Sequence, residues 1–119
     1  MGKHNEFGKQ GEQLAVDFLV KQGYEICTRN YRYRKAEIDI IARQGEILAI
    51  VEVKSRNTGF LEEMSTTINP KKRQLLVLAA DQYVQEMDLD VEVRFDIITV
   101  IKKGTNFEID HLENAFYFF

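Results

Sequence analysis

Two carboxylates and a lysine interrupt apolar stretches that otherwise have the composition of buried strands. Asp39 lies within Glu37-Ile38-Asp39-Ile40-Ile41, and Glu52 and Lys54 lie within Ile50-Val51-Glu52-Val53-Lys54. A charged side chain in such a strand is unfavourable unless it is paired or binds a metal ion. These three residues are therefore the first candidates for a functional site.

The spacing of the three residues places them on the two arms of a predicted β-hairpin. A two-residue turn that starts at Gln44 sets Asp39 diagonal to Glu52, and one that starts at Gly45 sets it directly opposite. Because side chains alternate with period two, Asp39, Glu52 and Lys54 share a face in both registers. Opposed or diagonal neighbours lie within about 5–8 Å, so one divalent ion could bridge both carboxylates.

This group of residues suits metal-assisted attack on a phosphodiester. Carboxylate oxygens favour a hard cation such as Mg²⁺ or Mn²⁺, which acidifies water and neutralises charge growing on the phosphate. Lys54 could orient that water, assist its deprotonation or stabilise the phosphate under attack. Glu12 is a candidate fourth member because it lies at the edge of the apolar stripe of a predicted helix.

Structural explanations for the same residues stay open. Asp39 and Glu52 could be exposed acids on an edge hairpin, and Lys54 could be no more than a salt-bridge partner of Glu52. Glu12 could be a helix-start carboxylate that complements the helix dipole. Glu37 shares the face of the hairpin and is a rival ligand, or a contact at the edge of the site.

The elements that must position these residues follow from periodicity and turn signals. They are a helix from about Glu6 to Gln22 ended by Gly23, a strand Tyr24–Asn30, a hairpin from Glu37 to about Lys54, a loop Asn57–Ile68, a helix from Asn69-Pro70 to about Met87, and strands Val91–Ile101 and Phe107–Leu112. The order α-β-β-β-α-β-β predicts an α/β or α+β fold with a mixed sheet of about five strands flanked by helices. The second helix is then a crossover to a strand parallel to the second arm of the hairpin.

Composition limits the class of protein. The chain of 119 residues is 45% hydrophobic, which is enough for one domain spanning residues 1–119. One cysteine, Cys27, fits a reducing cytoplasm. The polar start predicts no secretion signal, and the apolar runs are too short to span a bilayer. The sequence therefore predicts a cytoplasmic protein with no membrane partner.

Basic residues cluster in spite of the net charge of −3, which argues against a protein that coats nucleic acid through bulk charge. The clustered residues are Arg29, Arg32, Arg34 and Lys35, then Arg56, and then Lys71, Lys72 and Arg73. Tyr31 and Tyr33 interleave with the first group and could stack on bases or pack in the strand. Local basic patches around carboxylates suit a nuclease, although solvated surface explains them too.

These residues resemble the motif of the PD-(D/E)XK nuclease superfamily, an acid followed after a gap by Asp or Glu, any residue and Lys. Here the motif is Asp39, twelve residues, and Glu52-Val53-Lys54. Within the superfamily the chain is similar to the YraN-like family of predicted endonucleases, itself similar to archaeal Holliday-junction resolvases. The matching segments are Gly8–Ala15, Arg29–Arg32, Glu37–Ile41, Val51–Arg56, Pro70–Arg73 and Arg94–Asp96. Ala36 departs from the glycine found in many relatives.

The resemblance implies a restriction-endonuclease-like fold and a set of site residues. Asp39 and Glu52 would bind the metal with the carbonyl of Val53 as a third ligand, Lys54 would be the catalytic lysine, and Glu12 would complete the site. The first hypothesis is thus a Mg²⁺- or Mn²⁺-dependent endonuclease that hydrolyses DNA, with branched or structured DNA suggested by the resolvases. The alternatives are a nucleic-acid-binding module that does not cut and a protein-interaction domain. A homodimer is expected where paired cuts need paired sites.

Overall fold

The described part of the chain forms five strands and two helices. The computed structural model describes residues 2–57 and 68–116. Its elements are α1 (Gly2–Lys21), β1 (Glu25–Tyr33), β2 (Ala36–Gln44), β3 (Ile47–Asn57), α2 (Pro70–Met87), β4 (Glu92–Lys103) and β5 (Asn106–Leu112). The predicted α+β fold and the order α-β-β-β-α-β-β are confirmed. Neither helix in this part of the chain is long and apolar enough to cross a membrane.

Several boundaries differ from those predicted, among them the ends of β3 at Asn57 and of β4 at Lys103. Helix α1 begins at Gly2 rather than near Glu6, and β1 continues to Tyr33 rather than ending at Asn30. The longer β1 results from pairing, because Tyr31 faces Ile38 and Tyr33 pairs with Ala36. Most of the predicted loop at residues 57–68 lies outside the described residues.

The strands form one mixed sheet in the order β1-β2-β3-β4-β5. Only β3 and β4 are parallel, and each of the other neighbouring pairs is antiparallel. Helix α2 connects the two parallel strands, as the sequence predicted, because a parallel pair needs a crossover connection. Strand β3 is therefore central, with β2 on one side and β4 on the other.

Each face of the sheet is covered by one helix. On β3, Leu48 and Ile50 pack toward α2, whereas Ala49 and Val51 pack toward α1. The core under α1 includes Ala15 and Leu19, both fully buried. Because both faces of β3 are buried, its sequence is a nearly continuous apolar run. The polar residues Glu52 and Lys54 follow directly after this run.

Local sequence signals mark the end of α1 and the start of α2. Gly23, with φ +95°, takes the left-handed conformation after α1 that glycine adopts without steric cost. Asn69 caps α2, since its side chain accepts a hydrogen bond of 2.9 Å from the main-chain N–H of Lys72, and Pro70 occupies the first helical position. The predicted ends at Gly23 and Asn69-Pro70 are confirmed.

Phe116, the first of the carboxyl-terminal aromatic residues, packs on the core. The Phe116 ring stacks on Phe95 with 4.9 Å between ring centroids, and Phe116 is buried. Phe116 therefore belongs to the core on the α2 side of the sheet. Residues 117–119 lie outside the described part of the chain.

Helix α1 approaches β3 most closely at Gly11. A Cβ atom built on Gly11 would overlap Ser55 Oγ and would lie 3.3 Å from Ser55 Cβ. The same atom on Gly8, three residues earlier, has no neighbour within 4 Å. The contact at Gly11 therefore sets the distance between α1 and the strand that carries Glu52, whereas Gly8 does not.

Alanine at these two glycines should shift stability in opposite directions. We expect Gly11→Ala to lower the free energy of unfolding by about 1–3 kcal/mol through overpacking against Ser55. Gly8→Ala should raise it by about 0.5–1 kcal/mol, because glycine is a poor helix former. Urea unfolding followed by circular dichroism measures both. A Gly11→Ala protein as stable as Gly8→Ala would contradict the close approach.

A buried carboxylate network ties β4 to β5. Asp96 is 1% exposed and accepts hydrogen bonds from Arg94 Nε at 2.9 Å and Nη2 at 2.8 Å. His111 Nε2 lies 2.8 Å from Asp96 Oδ2, and the main-chain N–H of Asn114 donates at 3.2 Å. Burial alone raises the pKa of Asp96, but hydrogen bonds from His111 and Arg94 outweigh it and bring the pKa below its ordinary value.

Loss of this buried charge should destabilise the fold. Asp96→Asn leaves Arg94 without its carboxylate, and we expect a loss of about 3 kcal/mol in the free energy of unfolding near pH 7. Because the folded pKa of Asp96 is lowered, the wild-type advantage is full above the unfolded pKa of about 4 and disappears as the pH falls through the folded pKa. Denaturant titrations from pH 7 downward test this. An Asp96→Asn curve parallel to the wild-type curve would refute it.

Candidate functional site

The candidate site begins where β2 and β3 stop pairing. Their ladder runs from Gln44 opposite Ile47 to Ile40 opposite Val51. The turn is therefore Gly45-Glu46, the second of the two registers that the sequence allowed. Continued by one residue, this register would set Asp39 opposite Glu52. The pairing of β2 with β3 ends just before that pair, at Ile40 and Val51.

Asp39 bonds to the main chain of the neighbouring strand. Its Oδ2 accepts a hydrogen bond of 2.8 Å from the N–H of Val53. The carboxylate therefore lies beside the peptide that joins Glu52 to Val53. The N–H and C=O groups of one strand residue face the same neighbouring strand. The carbonyl of Val53 is thus directed toward the same gap between β2 and β3.

The electrostatics of Asp39 favour a bound cation. Burial, followed by the negative charge of Glu52, raises the pKa of Asp39 to about 7. The Val53 hydrogen bond and the charge of Lys72 oppose this shift, and the charge of Glu12 adds to it. Two partly buried acids that repel each other attract a divalent cation, whose oxygen ligands are typically carboxylates.

Glu52 faces α2, as its period-two position after Leu48 and Ile50 requires. Its Oε2 lies 2.6 Å from Lys72 Nζ, and its side chain is only 12% exposed. The sequence suggested Lys54 as a salt-bridge partner of Glu52, and the structure adds Lys72 as a partner. Lys72 was predicted as a nucleic-acid contact only, because no local pattern links residues 20 positions apart.

Lys54 follows Glu52 by two residues on β3 and so lies on the same face of the strand. Burial, followed by the positive charge of Arg56, lowers the pKa of Lys54, and the charge of Glu52 counteracts this. A lysine with a lowered pKa loses its proton more readily than an exposed lysine does. Its chemistry therefore suits both hydrogen-bond donation and proton transfer.

Glu12 is connected to the site by a hydrogen bond with Asn30. Asn30 Nδ2 donates a hydrogen bond of 3.3 Å to Glu12 Oε1. The pairs Arg29–Ile40 and Tyr31–Ile38 place Asn30 opposite Asp39. Asn30 has φ +52°, a left-handed conformation in which asparagine is enriched.

Sequence analysis did not single out Asn30 as a site residue. The sequence feature that could have identified it is an asparagine between the strand residues Arg29 and Tyr31. Its side chain reaches Glu12 on α1, so the irregular backbone at Asn30 connects that helix to the position opposite Asp39.

A groove of about 280 Å³ brings the two predicted basic clusters together. It lies between the β1–β2 turn, which contributes Lys35, and the start of α2, which contributes Lys71 and Lys72. Glu37 also lines the groove and forms a 3.5 Å ion pair with the exposed Arg32. Lys72 thus borders both the groove and Glu52.

The remaining basic residues contact their own chain. Arg29 donates to Gln13 at 3.0 Å, Arg56 to the carbonyl of Ser55 at 3.0 Å, and Arg73 to the carbonyl of Ile68 at 2.8 Å. Arg34 lies over the Tyr33 ring at 5.2 Å and Arg73 over the Phe116 ring at 5.8 Å. Among the sequence-predicted basic residues, Lys35, Lys71 and Lys72 are the ones that the groove brings together.

Tyr31 packs inside the protein. Its ring meets Tyr83 edge to face at 5.3 Å between centroids, and its hydroxyl donates a 2.9 Å hydrogen bond to Glu86. Of the two roles that the sequence allowed for Tyr31, base stacking or packing, the contacts favour packing.

The acids do not form a complete metal cage from side chains. Within residues 2–57 and 68–116, no group of three or more His, Cys, Asp or Glu side chains is arranged to hold a metal ion. Asp39, Glu52 and the carbonyl of Val53 come together near the end of the β2–β3 ladder, and Mg²⁺ commonly keeps several waters beside one or two carboxylates. The residues present therefore fit a partly hydrated divalent ion.

The comparisons with known proteins identify the family. The fold and site define a small α+β protein with a buried acid pair at the point where two strands diverge. A sequence model of the uncharacterised protein family UPF0102 matches residues 11–100, and the chain belongs to this family, the YraN-like family that its motifs resemble.

Relatives match along the whole chain. UPF0102 proteins of Christiangramia forsetii and Flavobacterium psychrophilum are each 50% identical over 119 residues, which is all of this chain and all of theirs. The UPF0102 protein of Parabacteroides distasonis is 44% identical over 117 residues, covering 98% of this chain and 97% of its own.

Neutralising the buried acid should stabilise the metal-free protein. The folded pKa of Asp39 is raised to about 7, so its ionisation destabilises the fold as the pH rises above the unfolded pKa of about 4. We expect Asp39→Asn to be close to wild type in stability at pH 4 and to exceed it by up to about 4 kcal/mol at pH 8, since the shift spans about three pKa units and each unit corresponds to 1.36 kcal/mol.

The measurement is urea unfolding in the presence of a chelator at several pH values. Asp110→Asn is the matched control, because Asp110 is an exposed acid on β5, and its substitution should change stability little at either pH. A lower stability of Asp39→Asn at pH 8 would contradict the repulsion between Asp39 and Glu52.

Proposed function

We propose that this protein is a Mg²⁺- or Mn²⁺-dependent endonuclease that hydrolyses phosphodiester bonds of DNA. One observation carries the proposal: the hydrogen bond from Val53 to Asp39 sets one buried acid beside the strand that carries Glu52 and Lys54. The resemblance to the PD-(D/E)XK motif supports the same assignment of residues. A restriction-endonuclease-like fold, a cytoplasmic location and a homodimer are parts of this proposal.

In the proposed reaction each residue has a defined role. Asp39, Glu52 and the carbonyl of Val53 hold the ion, which when bound acidifies water and neutralises charge on the phosphate. Lys54 orients the attacking water or donates to the phosphate oxygen on which charge develops. Glu12, through Asn30, adds negative charge that favours the cation. The water oxygen bonds to phosphorus as the bond to the leaving oxygen breaks; the attacking water gives up one proton to solvent and the leaving oxygen takes one up from solvent, so that one water is consumed.

The groove next to the acids fits the backbone of the substrate. Lys35, Lys71 and Lys72 line it, and lysines contact phosphates without reading sequence. Such contacts would hold a strand near the acids independently of its bases. The proposed preference for branched or structured DNA comes from the likeness to resolvases and is an analogy at the level of the family.

A second candidate function is a nucleic-acid-binding module that does not cut. The observation in its favour is the ion pair between Lys72 and Glu52, which already supplies a positive charge where the metal would bind. The intact set of Asp39, Glu52 and Lys54 favours the nuclease.

Cleavage assays test the proposed activity. Wild-type protein with Mn²⁺ is incubated with supercoiled, linear, single-stranded and four-way-junction DNA, beside Asp39→Asn, Glu52→Gln and Lys54→Ala. We expect wild type to cut at least one substrate, the two acid variants to lose cleavage, and Lys54→Ala to be slower by about 10²–10⁴-fold.

A control variant tests whether the site causes the cleavage. Asp110→Asn should cut at the wild-type rate, because Asp110 lies on the edge strand β5 away from the acids. Binding of DNA by every variant with cleavage by none, wild type included, would instead support the binding module. Cleavage that survives in Glu52→Gln would overturn the site assignment.

A further inference from the structure

Lys72 holds the carboxylate that the proposed function assigns to the metal. Its Nζ lies 2.6 Å from Glu52 Oε2, and the Lys72 side chain remains 46% exposed. This distance is that of a short charge-assisted hydrogen bond. A divalent ion at the same oxygen would weaken the hold of the ammonium group on Glu52, because two cations at one carboxylate oxygen repel each other.

A second position for Lys72 lies next to the first. The side chain also lines the groove that contains Lys35 and Lys71. Its main chain is fixed, because its N–H donates to the cap residue Asn69 at 2.9 Å, so only the side chain needs to move. The long, partly exposed side chain can therefore turn from Glu52 toward the groove.

We infer that Lys72 is a transferable cation that couples the two ligands of the proposed site. Before a divalent ion binds, Lys72 neutralises Glu52. Once the ion replaces it, Lys72 turns to the groove and contacts a backbone phosphate of the nucleic acid beside Lys35 and Lys71. This inference rests on the proposed function and adds a binding role for Lys72 that depends on metal occupancy.

The arrangement requires each ligand to strengthen the binding of the other. The metal releases Lys72 for the phosphate, and a phosphate that holds Lys72 leaves Glu52 open to the metal. Such coupling is reciprocal by thermodynamic necessity. Metal-free protein should accordingly bind nucleic acid with one lysine fewer than metal-loaded protein.

The first measurement is Mn²⁺ affinity without nucleic acid, by electron paramagnetic resonance of the free ion. We expect Lys72→Met to bind Mn²⁺ about tenfold more tightly than wild type, within the roughly 5–150-fold typical of coupled sites. Lys71→Met is the matched control. It removes the same charge from the same groove outside the Glu52 ion pair, so it should change the affinity much less.

The second measurement is binding of a short fluorescein-labelled DNA duplex, by anisotropy, with and without Ca²⁺ as a non-cleaving ion. Ca²⁺ should tighten binding of the duplex more in wild type than in Lys72→Met, because the variant has no lysine at this position to release. Lys71→Met should bind DNA more weakly than wild type while keeping the wild-type response to Ca²⁺.

The outcomes separate this inference from the proposed function. Tighter Mn²⁺ binding with a reduced Ca²⁺ response in Lys72→Met supports the inference. If wild type binds Mn²⁺, Glu52→Gln loses it and Lys72→Met equals wild type, the metal site stands and the coupling by Lys72 is refuted. If wild type and Lys72→Met both fail to bind Mn²⁺, the proposed metal site fails and the inference fails with it.

Discussion

The hydrogen bond between the Val53 N–H and Asp39 is the contact on which the site depends. At this point β2 leaves the ladder with β3, and the carboxylate accepts the main-chain donor of β3 in place of a strand carbonyl. The bond also offsets part of the cost of burying the acid, because it favours the charged form that burial and Glu52 disfavour. One contact thus closes the end of a ladder and fixes an acid next to Glu52.

The sheet holds the two sides of this site differently. Strand β3 pairs with β4 along its whole length, from Ile47 to Asn57, whereas its pairing with β2 stops at Val51. The half of β3 that carries Glu52 and Lys54 is therefore paired with β4 on one side, whereas on the other side the described residues form no ladder with it beyond the Asp39 contact. Strand β4 is in turn tied to β5 by the hydrogen bonds around Asp96. A rigid backbone on one side leaves the other side available to ligands.

Sequence alone predicted what local signals determine. Periodicity and helix caps predicted the order of elements and the parallel crossover. They did not decide between two registers of the hairpin, because both turns satisfy the same alternation of side chains. The sequence did not predict the ion pair of Glu52 with Lys72 or the hydrogen bond of Asn30 to Glu12. Lys72 meets Glu52 only because α2 crosses the sheet at that place, and Asn30 meets Glu12 only because α1 lies over β1. Such contacts depend on how elements pack, which no single segment encodes.

The metal-free fold accommodates its two repelling acids in two different ways. Burial and the charge of Glu52 raise the pKa of Asp39 to about 7, which favours its protonated form, whereas Glu52 forms an ion pair with Lys72. A proton and an ammonium group together supply two positive charges at the pair, the same number as one divalent ion. Binding of such an ion would release both of them, so the net charge of the site would change little. A raised pKa at one acid and an ion pair at the other thus offset the repulsion between two carboxylates at the end of an apolar sheet.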